Sequence, residues 1–327
     1  MDQPLPITLS DIQHAAQRLE GHAVRTPLLE SPALNEHCGG RVLIKPEVLQ
    51  RTGSFKFRGA FNKLSSLTAE ERQRGVLAFS SGNHAQGVAY AAQLLGTQAT
   101  IVMPADAPAI KIQRTREYGA TVVLYDRYNE DREAIAAKLV AESGAVTVKP
   151  FDDPLIMAGQ GTAGLEITEQ APPGTIDLLL TPCGGGGLIA GVGTALKARY
   201  PAIEIYSVEP FEFDDTARSL AAGERLSNPA HARSICDALL SPTPGVLTFA
   251  VNRLNLAGAL GVTDEEAIQA MAFAFEHLKL VVEPGGAVAL AALLAGKIDL
   301  AGRTAAVVLS GGNVDPRSYA EYLLQQP

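Results

Sequence analysis

One lysine and two glycine-rich loops are the residues of this sequence best suited to chemistry. Lys56 lies in the stretch Thr-Gly-Ser-Phe-Lys-Phe-Arg-Gly-Ala at residues 52–60. The loops read Ser-Ser-Gly-Asn-His at 80–84 and Cys-Gly-Gly-Gly-Gly-Leu at 183–188. A lone lysine is usually a surface cation, and one or two glycines suffice for a tight turn. A surface cation and a tight turn do not explain a lysine together with two glycine-rich loops, one of which has four glycines in succession.

The loop at 183–188 joins an apolar strand pattern to a helical pattern, which predicts an anion site at a helix N-terminus. It matches neither a dinucleotide fingerprint nor a P-loop, so the phosphate of a compact cofactor is favoured over NAD or ATP. A phosphorylated aldehyde held by Lys56 as a Schiff base would use both features. Pyridoxal 5'-phosphate is the cofactor that these residues suggest.

Composition narrows the class of protein. The chain has 327 residues, 46% of them hydrophobic, and a formal charge of −8 without runs of Lys or Arg. We therefore expect a globular protein with two lobes, a small-molecule ligand, no nucleic-acid partner and no membrane association. Cys38, Cys183 and Cys236 lie far apart, which indicates neither a disulfide framework nor a zinc site and favours a cytoplasmic location.

Strand-like and helical patterns alternate along the chain, which predicts an α/β fold with largely parallel sheets. Strands are predicted at 42–45, 76–80, 99–103, 121–125, 145–148, 176–181, 203–208 and 304–309. Helices are predicted at 60–67, 84–95, 110–118, 130–142, 156–168, 188–200 and 265–278, and a capping box at Ser10 predicts another at the N-terminus.

The spacing of these elements predicts two domains. Residues 70–150 hold four strands with their helices and form a small domain. Residues 1–69 and 151–327 form a large domain that takes its sheet from both ends of the chain. Lys56 and both loops follow strand ends, where open α/β sheets bind ligands, so the site is expected in the cleft between the domains.

Taken in order, these blocks resemble the fold type II pyridoxal-phosphate enzymes, the tryptophan-synthase-β-like group. Within that group the chain is most similar to the serine/threonine dehydratase and serine racemase family. The resemblance covers almost the whole sequence. The blocks that carry it are residues 25–28, 54–60, 80–87, 184–187 and 310–313.

The resemblance implies a set of cofactor contacts. Lys56 would bind the cofactor aldehyde and later remove the Cα proton of the substrate. Phe55 would pack on the cofactor ring, Asn83 would hydrogen-bond its phenolic oxygen, and Ser310 would face the pyridine nitrogen. A neutral partner at that nitrogen favours elimination over transamination. The phosphate would be bound by the amides of Gly184, Gly185, Gly186 and Gly187.

It also implies a substrate site. Ser81 and the amides of Gly82, Asn83 and His84 would hold the substrate carboxylate, although His84 could equally be a helix-start residue without chemistry. Ser81 could also return a proton to the face opposite Lys56. Arg132, in the charged segment 125–132, matches an arginine that reaches a second carboxylate in racemase-like relatives. The alternative for that segment is a solvated helix start.

The activity implied is that of a lyase of amino-acid metabolism. A threonine dehydratase-like enzyme would convert L-threonine, L-serine or 3-hydroxyaspartate to a 2-oxo acid and ammonia. An amino-acid racemase on the same site is the alternative. A non-catalytic cofactor-binding protein or a dinucleotide-dependent oxidoreductase is a more distant one. The resemblance further implies a homodimer, and the short chain after Asn313 leaves no room for the C-terminal regulatory domain of biosynthetic threonine dehydratases.

A metal site is the last implication. Glu209, Phe213 and Asp215 match a racemase-branch segment in which two acids and a backbone carbonyl bind Mg²⁺ or Ca²⁺, and such cations prefer oxygen ligands. The other reading is an acidic helix N-terminus, because acids there interact favourably with the helix dipole.

Overall fold

A computed structural model describes residues 5–126, 129–172 and 174–325. Its strands are β1 (Leu29–Glu30), β2 (Arg41–Pro46), β3 (Val76–Phe79), β4 (Ala99–Pro104), β5 (Thr121–Tyr125), β6 (Val146–Thr147), β7 (Leu178–Pro182), β8 (Glu204–Pro210), β9 (Gly258–Val262) and β10 (Thr304–Leu309).

The helices are α1 (Leu9–Leu19), α2 (Pro32–Cys38), α3 (Lys56–Ser65), α4 (Ala69–Arg74), α5 (Asn83–Leu94), α6 (Ala109–Glu117), α7 (Arg132–Ser143), α8 (Pro154–Gln170), α9 (Gly187–Arg199), α10 (Asp215–Ala222), α11 (Val246–Asn255), α12 (Asp264–Phe273), α13 (Pro284–Leu294) and α14 (Pro316–Leu324). None of the helices in the described ranges is long and apolar enough to cross a bilayer.

The strands form two sheets, as the sequence predicts. A six-stranded sheet has the order β1-β2-β10-β7-β8-β9, and a four-stranded sheet has the order β5-β4-β3-β6. All pairings are parallel except β1 with β2. The smaller sheet takes its strands from residues 76–147, and the larger one takes its strands from both sides of that segment. The exact domain limits near residues 70 and 150 stay a prediction.

Central strands read as continuous aliphatic runs because helices cover both faces of each sheet. In β10 the residues from Ala305 to Leu309 are fully buried, with β2 on one side and β7 on the other. Parallel strands end at the same edge of a sheet. The loops after β2, β10 and β7 are therefore neighbours in space.

Helix α3 lies between the two sheets and carries Lys56 as its first residue. Phe57 and Phe61 pack into the core of the small sheet, while the opposite side of α3 contacts α8 of the large one. At that contact Gly59 meets Gly159, and a Cβ built on Gly159 would lie 2.6 Å from the Cα of Gly59. The two backbones approach this closely only because both residues are glycines.

Buried ion pairs fix the same region. Arg58 places Nε 2.7 Å from Glu47 Oε2 and Nη1 2.6 Å from Glu166 Oε1, and Lys45 Nζ lies 2.6 Å from Glu166 Oε2. Burial alone would raise the pKa of Glu47, but the Arg58 guanidinium offsets this and lowers it. Removing one partner of a buried pair of this kind costs about 3–5 kcal/mol. The backbone that presents Lys56 is thereby held rigidly.

The N-terminal helix begins earlier than the sequence predicts. Thr8, not Ser10, is the N-cap of α1, and Thr8 and Asp11 form the capping box. The buried face of α1 consists of Ile12, Ala15 and Leu19.

Candidate active site

Three loops of the large sheet meet at the carboxyl ends of β2, β10 and β7. The Phe55 amide donates to the carbonyl of Ser310 at 3.1 Å, so the lysine segment is joined to the end of β10. The glycine loop at 183–187 follows β7, the next strand in the sheet. The loop after β3, at 80–84, faces them from the small sheet.

A single cavity of about 830 Å³ lies between these loops. Every residue predicted to contact the cofactor or the substrate lines it. These residues are Phe55, Lys56, Ser81, Gly82, Asn83, His84, Arg132, Gly184, Gly185, Gly186, Gly187 and Ser310. The structure thus brings the predicted set together, while the role of each residue stays a prediction.

Lys56 is surrounded by protein at this cavity. Its Nζ donates to the carbonyl of Pro150 at 2.9 Å and lies 5.1 Å from the centroid of the Phe55 ring. Loss of hydration lowers the pKa of Lys56 from 10.5 to about 8, although the carboxylate of Glu283 opposes this shift. The amine is therefore a far better nucleophile and base at neutral pH than an exposed lysine.

The glycine loop has the geometry of an anion site. Gly186 has φ +88°, and α9 begins at the next residue, so the free amides of the first helical turn point out of the helix end. A Cβ on Gly185 would lie 2.4 Å from the ring of Phe151. The carbonyls of Gly185 and Gly186 accept hydrogen bonds from Thr248 Oγ1 at 2.6 Å and Asn252 Nδ2 at 3.2 Å. At Gly185, Gly186 and Gly187 an added Cβ would lie less than 3 Å from a neighbouring atom, so these three positions need glycine.

His84 is the second residue of α5, as the helix-start alternative has it, and its side chain is buried. Its Nε2 lies 3.0 Å from the carbonyl of Val148, an acceptor, so Nε2 carries the proton and Nδ1 is a bare acceptor. Nδ1 has no hydrogen-bond partner within the described ranges. Burial and the nearby charge of Lys56 lower the pKa of His84 to about 3. The imidazole is neutral at every pH of interest.

Asn83 belongs to a polar chain that the sequence did not reveal. Its Nδ2 donates to Glu283 Oε1 at 2.5 Å, and its Oδ1 accepts from Asn313 Nδ2 at 2.8 Å. Lys111 lies beside Glu283 and lines the same cavity. The only sign of it in the sequence is an acid directly before Pro-Gly-Gly at 284–286. This pattern is too short to distinguish a buried carboxylate from a helix cap.

Arg132 opens α7 at the mouth of the cavity. Its guanidinium carbon lies 5.3 Å from the centroid of the Phe79 ring, a cation–π contact. It forms no ion pair with any carboxylate of the described segments. Arg127, from the same charged segment, lies outside the described residues. Arg132 is therefore a cation at the cavity without a protein counter-ion in that part of the chain.

Comparison with known proteins gives the same picture. The profile of the pyridoxal-phosphate dependent enzyme family matches residues 19–311. The chain belongs to this family. It is 46% identical to an L-threo-3-hydroxyaspartate ammonia-lyase of Pseudomonas sp, over 96% of this chain and 97% of that protein. It is 42% identical to the enzyme of the same name from Saccharomyces cerevisiae, over 96% of this chain and 95% of that protein.

The fold is confirmed by a solved relative. The structure of serine racemase from Dictyostelium discoideum superposes with a TM-score of 0.88 at 38% identity, and the match covers 95% of this chain and 99% of that chain. The family cofactor is pyridoxal phosphate. The cavity of this pyridoxal-phosphate-dependent enzyme fits it, because a glycine cradle for the phosphate and a desolvated lysine amine share one space.

The predicted metal residues lie away from this cavity. Glu209 ends β8 and accepts from the amides of Thr216 and Ala217. Asp215 accepts from Asn228 through Oδ1, but its Oδ2 is buried without a hydrogen-bond partner. Burial, aided by the nearby Asp215, raises the pKa of Glu209 well above normal, and burial raises the pKa of Asp215 to about 6.

The charges of these two acids interact, and the nearby Arg218 guanidinium opposes the rise in the pKa of Asp215. No group of three or more His, Cys, Asp or Glu side chains suited to a metal occurs in the described ranges. Two carboxylates plus the backbone at Phe213 are the oxygen donors available, so metal binding at Glu209, Phe213 and Asp215 stays a prediction.

We expect Lys56 to react with pyridoxal phosphate as an amine of low pKa. In the cofactor-free protein, the condensation rate should rise with pH and level off above about 8, rather than near the value of about 10.5 of a hydrated lysine. The reason is that only the neutral amine attacks the aldehyde. Absorbance after rapid mixing measures the rate, and Lys56→Ala reports the signal from all other amines. A rate that keeps rising past pH 10 would contradict the desolvated amine.

Proposed function

We propose that this enzyme is an ammonia-lyase that converts L-threo-3-hydroxyaspartate to a 2-oxo acid and ammonia. The observation that carries the choice of substrate is Arg132, a guanidinium at the cavity with no carboxylate partner in the described chain. The names of the two relatives from Pseudomonas sp and Saccharomyces cerevisiae support it. Serine and threonine carry no second carboxylate for this cation.

The cofactor and the residues of the cavity would carry out different steps of a β-elimination. Bound pyridoxal phosphate supplies an aldehyde for the substrate amine and an electron-withdrawing ring for charge developing at Cα. Lys56 Nζ accepts the Cα proton, a task suited to an amine whose pKa is about 8. The β-hydroxyl leaves as water. The dehydrated product is then hydrolysed, which consumes one water and releases ammonia. For 3-hydroxyaspartate the carbon product is oxaloacetate.

Two carboxylates would be held at opposite ends of the substrate. The α-carboxylate faces the loop of Ser81, at the start of α5, where free helix amides and the dipole favour an anion. The β-carboxylate faces Arg132, whose planar fork suits bidentate pairing. Ser310, 4% exposed at the cavity, offers a neutral hydroxyl to the cofactor nitrogen. That neutral partner favours prompt loss of the β-substituent.

A racemase activity on the same site is the second candidate. Ser81 lines the cavity on the small-sheet side, whereas Lys56 comes from the large-sheet side. Racemisation needs a proton donor on each face of the substrate Cα, and Ser81 keeps a hydroxyl for the second face. The similarity to a serine racemase structure supports this secondary activity.

We propose Mg²⁺ or Ca²⁺ at Glu209, the carbonyl of Phe213 and Asp215. The unpartnered Oδ2 of Asp215 supports it, because a buried carboxylate oxygen without a donor is costly unless a cation or proton satisfies it. We also propose a homodimer in the cytoplasm, as the family resemblance implies. Half-exposed apolar side chains such as Phe275 and Val281 offer surface for a second copy.

The proposed substrate is tested by Arg132→Met. We expect kcat/KM for L-threo-3-hydroxyaspartate to fall by about ten- to a hundredfold, since charge-assisted hydrogen bonds to the β-carboxylate are lost. Turnover of L-serine and L-threonine should change little. Oxo-acid release from a panel of these substrates and the erythro diastereomer is the measurement.

Two controls accompany this panel. Arg116→Met removes an exposed arginine of α6 and should leave every substrate unaffected. Lys56→Ala should abolish oxo-acid release while retaining some cofactor binding through the glycine loop. Equal losses on all substrates in Arg132→Met, or a wild-type enzyme inactive on hydroxyaspartate, would reject the proposed substrate.

Ser81→Ala tests the second activity. We expect slow racemisation of serine beside faster elimination in the wild type, and a lower ratio of racemisation to elimination in the variant. Loss of a hydroxyl that also binds the carboxylate lowers elimination as well, so the ratio is the quantity to follow by chiral chromatography. An unchanged ratio, or no D-serine while pyruvate accumulates, would leave Ser81 as a binding residue alone.

Chelation tests the metal. Removing the cation leaves two buried acids facing each other, so the melting temperature should drop by about 2 °C or more and recover with Mg²⁺ or Ca²⁺. Asp215→Asn should abolish this response. Asp214→Asn, which alters the neighbouring acid paired with Arg218, should keep it. An identical melting curve with and without chelator would refute the site.

A further inference from the structure

Lys111 is a buried cation that the proposed chemistry leaves without a role. It projects from α6 on the small sheet, and its side chain is 3% exposed. Its Nζ lies 2.6 Å from Asp237 Oδ2 and 3.4 Å from Glu283 Oε2, both on elements of the large sheet. A Cβ on Gly82 would lie 3.2 Å from this Nζ, so Lys111 borders the loop that faces the substrate.

The same face of α6 reaches the cavity by a second route. Arg114, one turn after Lys111, donates from Nη1 to Asn313 Oδ1 at 2.9 Å. Asn313 Nδ2 then donates to Asn83 Oδ1 at 2.8 Å, and Asn83 Nδ2 donates to Glu283 Oε1. Glu283 in turn accepts from Lys111. The chain begins and ends on two cations of one helix.

The charged groups fix which atom donates and which accepts in each of these hydrogen bonds. Arg114 and Lys111 can only donate, and an ionised Glu283 can only accept. Flipping the Asn83 amide would place its oxygen against the Glu283 carboxylate and its NH₂ against that of Asn313. Asn83 is therefore held with Nδ2 on the carboxylate, which leaves the second hydrogen of that NH₂ group for a ligand of the cavity.

We propose that Lys111 is a positioning residue that acts through Glu283 to fix the amide of Asn83 as a donor toward the cofactor. Burial disfavours the charge of Glu283, and Lys111 is the cation beside it. Without Lys111 the carboxylate either stays unpaired or takes a proton and can donate as well as accept. Asn83 then loses its fixed partner. The inference rests on the contact with the cofactor that the family resemblance implies for Asn83, but not on the proposed substrate.

Cofactor affinity of the cofactor-free protein tests this without any turnover. We expect Lys111→Met to raise the dissociation constant of pyridoxal phosphate by about tenfold or more and to change the visible spectrum of the bound cofactor. Lys111→Arg should retain most of the affinity. Lys297→Met, which breaks an ion pair with Glu266 away from the cavity, is the matched control and should bind like the wild type.

Two double variants test whether Lys111 acts on cofactor affinity through Glu283 and Asn83. In an Asn83→Ala background, Lys111→Met should add less than about threefold to the loss, because both changes remove one interaction. Lys111→Met with Glu283→Gln leaves no unpaired buried carboxylate, so it should fold even if Lys111→Met does not. Because the Gln amide can donate as well as accept, it does not fix the Asn83 amide, and the affinity should stay about as low as in Lys111→Met. Wild-type affinity in Lys111→Met, additive losses with Asn83→Ala, or wild-type affinity in the double variant with Glu283→Gln would each overturn the proposal.

Discussion

The close contact of α3 with α8 is the constraint on which the site depends. Gly59 and Gly159 bring two backbones together, and the buried pairs of Arg58 with Glu47 and Glu166 hold them there. Lys56 begins the helix so anchored, with its amine in protein rather than water. A methyl group on Gly59 or Gly159 would force α3 and α8 apart, because no space is left between the two backbones. Lys56, at the start of α3, would then move relative to the glycine loop.

Residue types with unusual local geometry were predictable from the sequence. The four glycines, the lysine between two aromatic residues and the Ser-Gly-Asn loop each indicate either an unusual backbone conformation or a chemical role. The parallel sheets follow from the alternation of aliphatic runs and helical patterns. What the strand runs could not show is which loops become neighbours, because the order β2-β10-β7 joins segments more than a hundred residues apart.

Other parts were missed for physical reasons. Helix α13 is buried on all sides, so its sequence carries no helical periodicity that distinguishes it from a strand. Strand β9, Gly-Ala-Leu-Gly-Val, has one β-branched residue and two glycines, a weak strand pattern, and it forms as the edge strand paired with β8. Lys111 and Arg114 read as ordinary helix-surface cations. Only the tertiary structure shows that Lys111 is buried and that Arg114, although exposed, donates to the buried Asn313.

The segment that crosses from β6 to α8 touches nearly every part of the site. Its carbonyls at Val148 and Pro150 accept from His84 and Lys56, Phe151 fills the space beside the glycine loop, and Asp152 accepts from the first amides of α11. These residues belong to one of the two stretches that join the sheets, the other being the stretch from β2 through α3 and α4 to β3. The amine of Lys56 on α3 therefore has its hydrogen-bond acceptor on the other stretch that joins the sheets, so the position of that acceptor depends on the spacing of the two sheets.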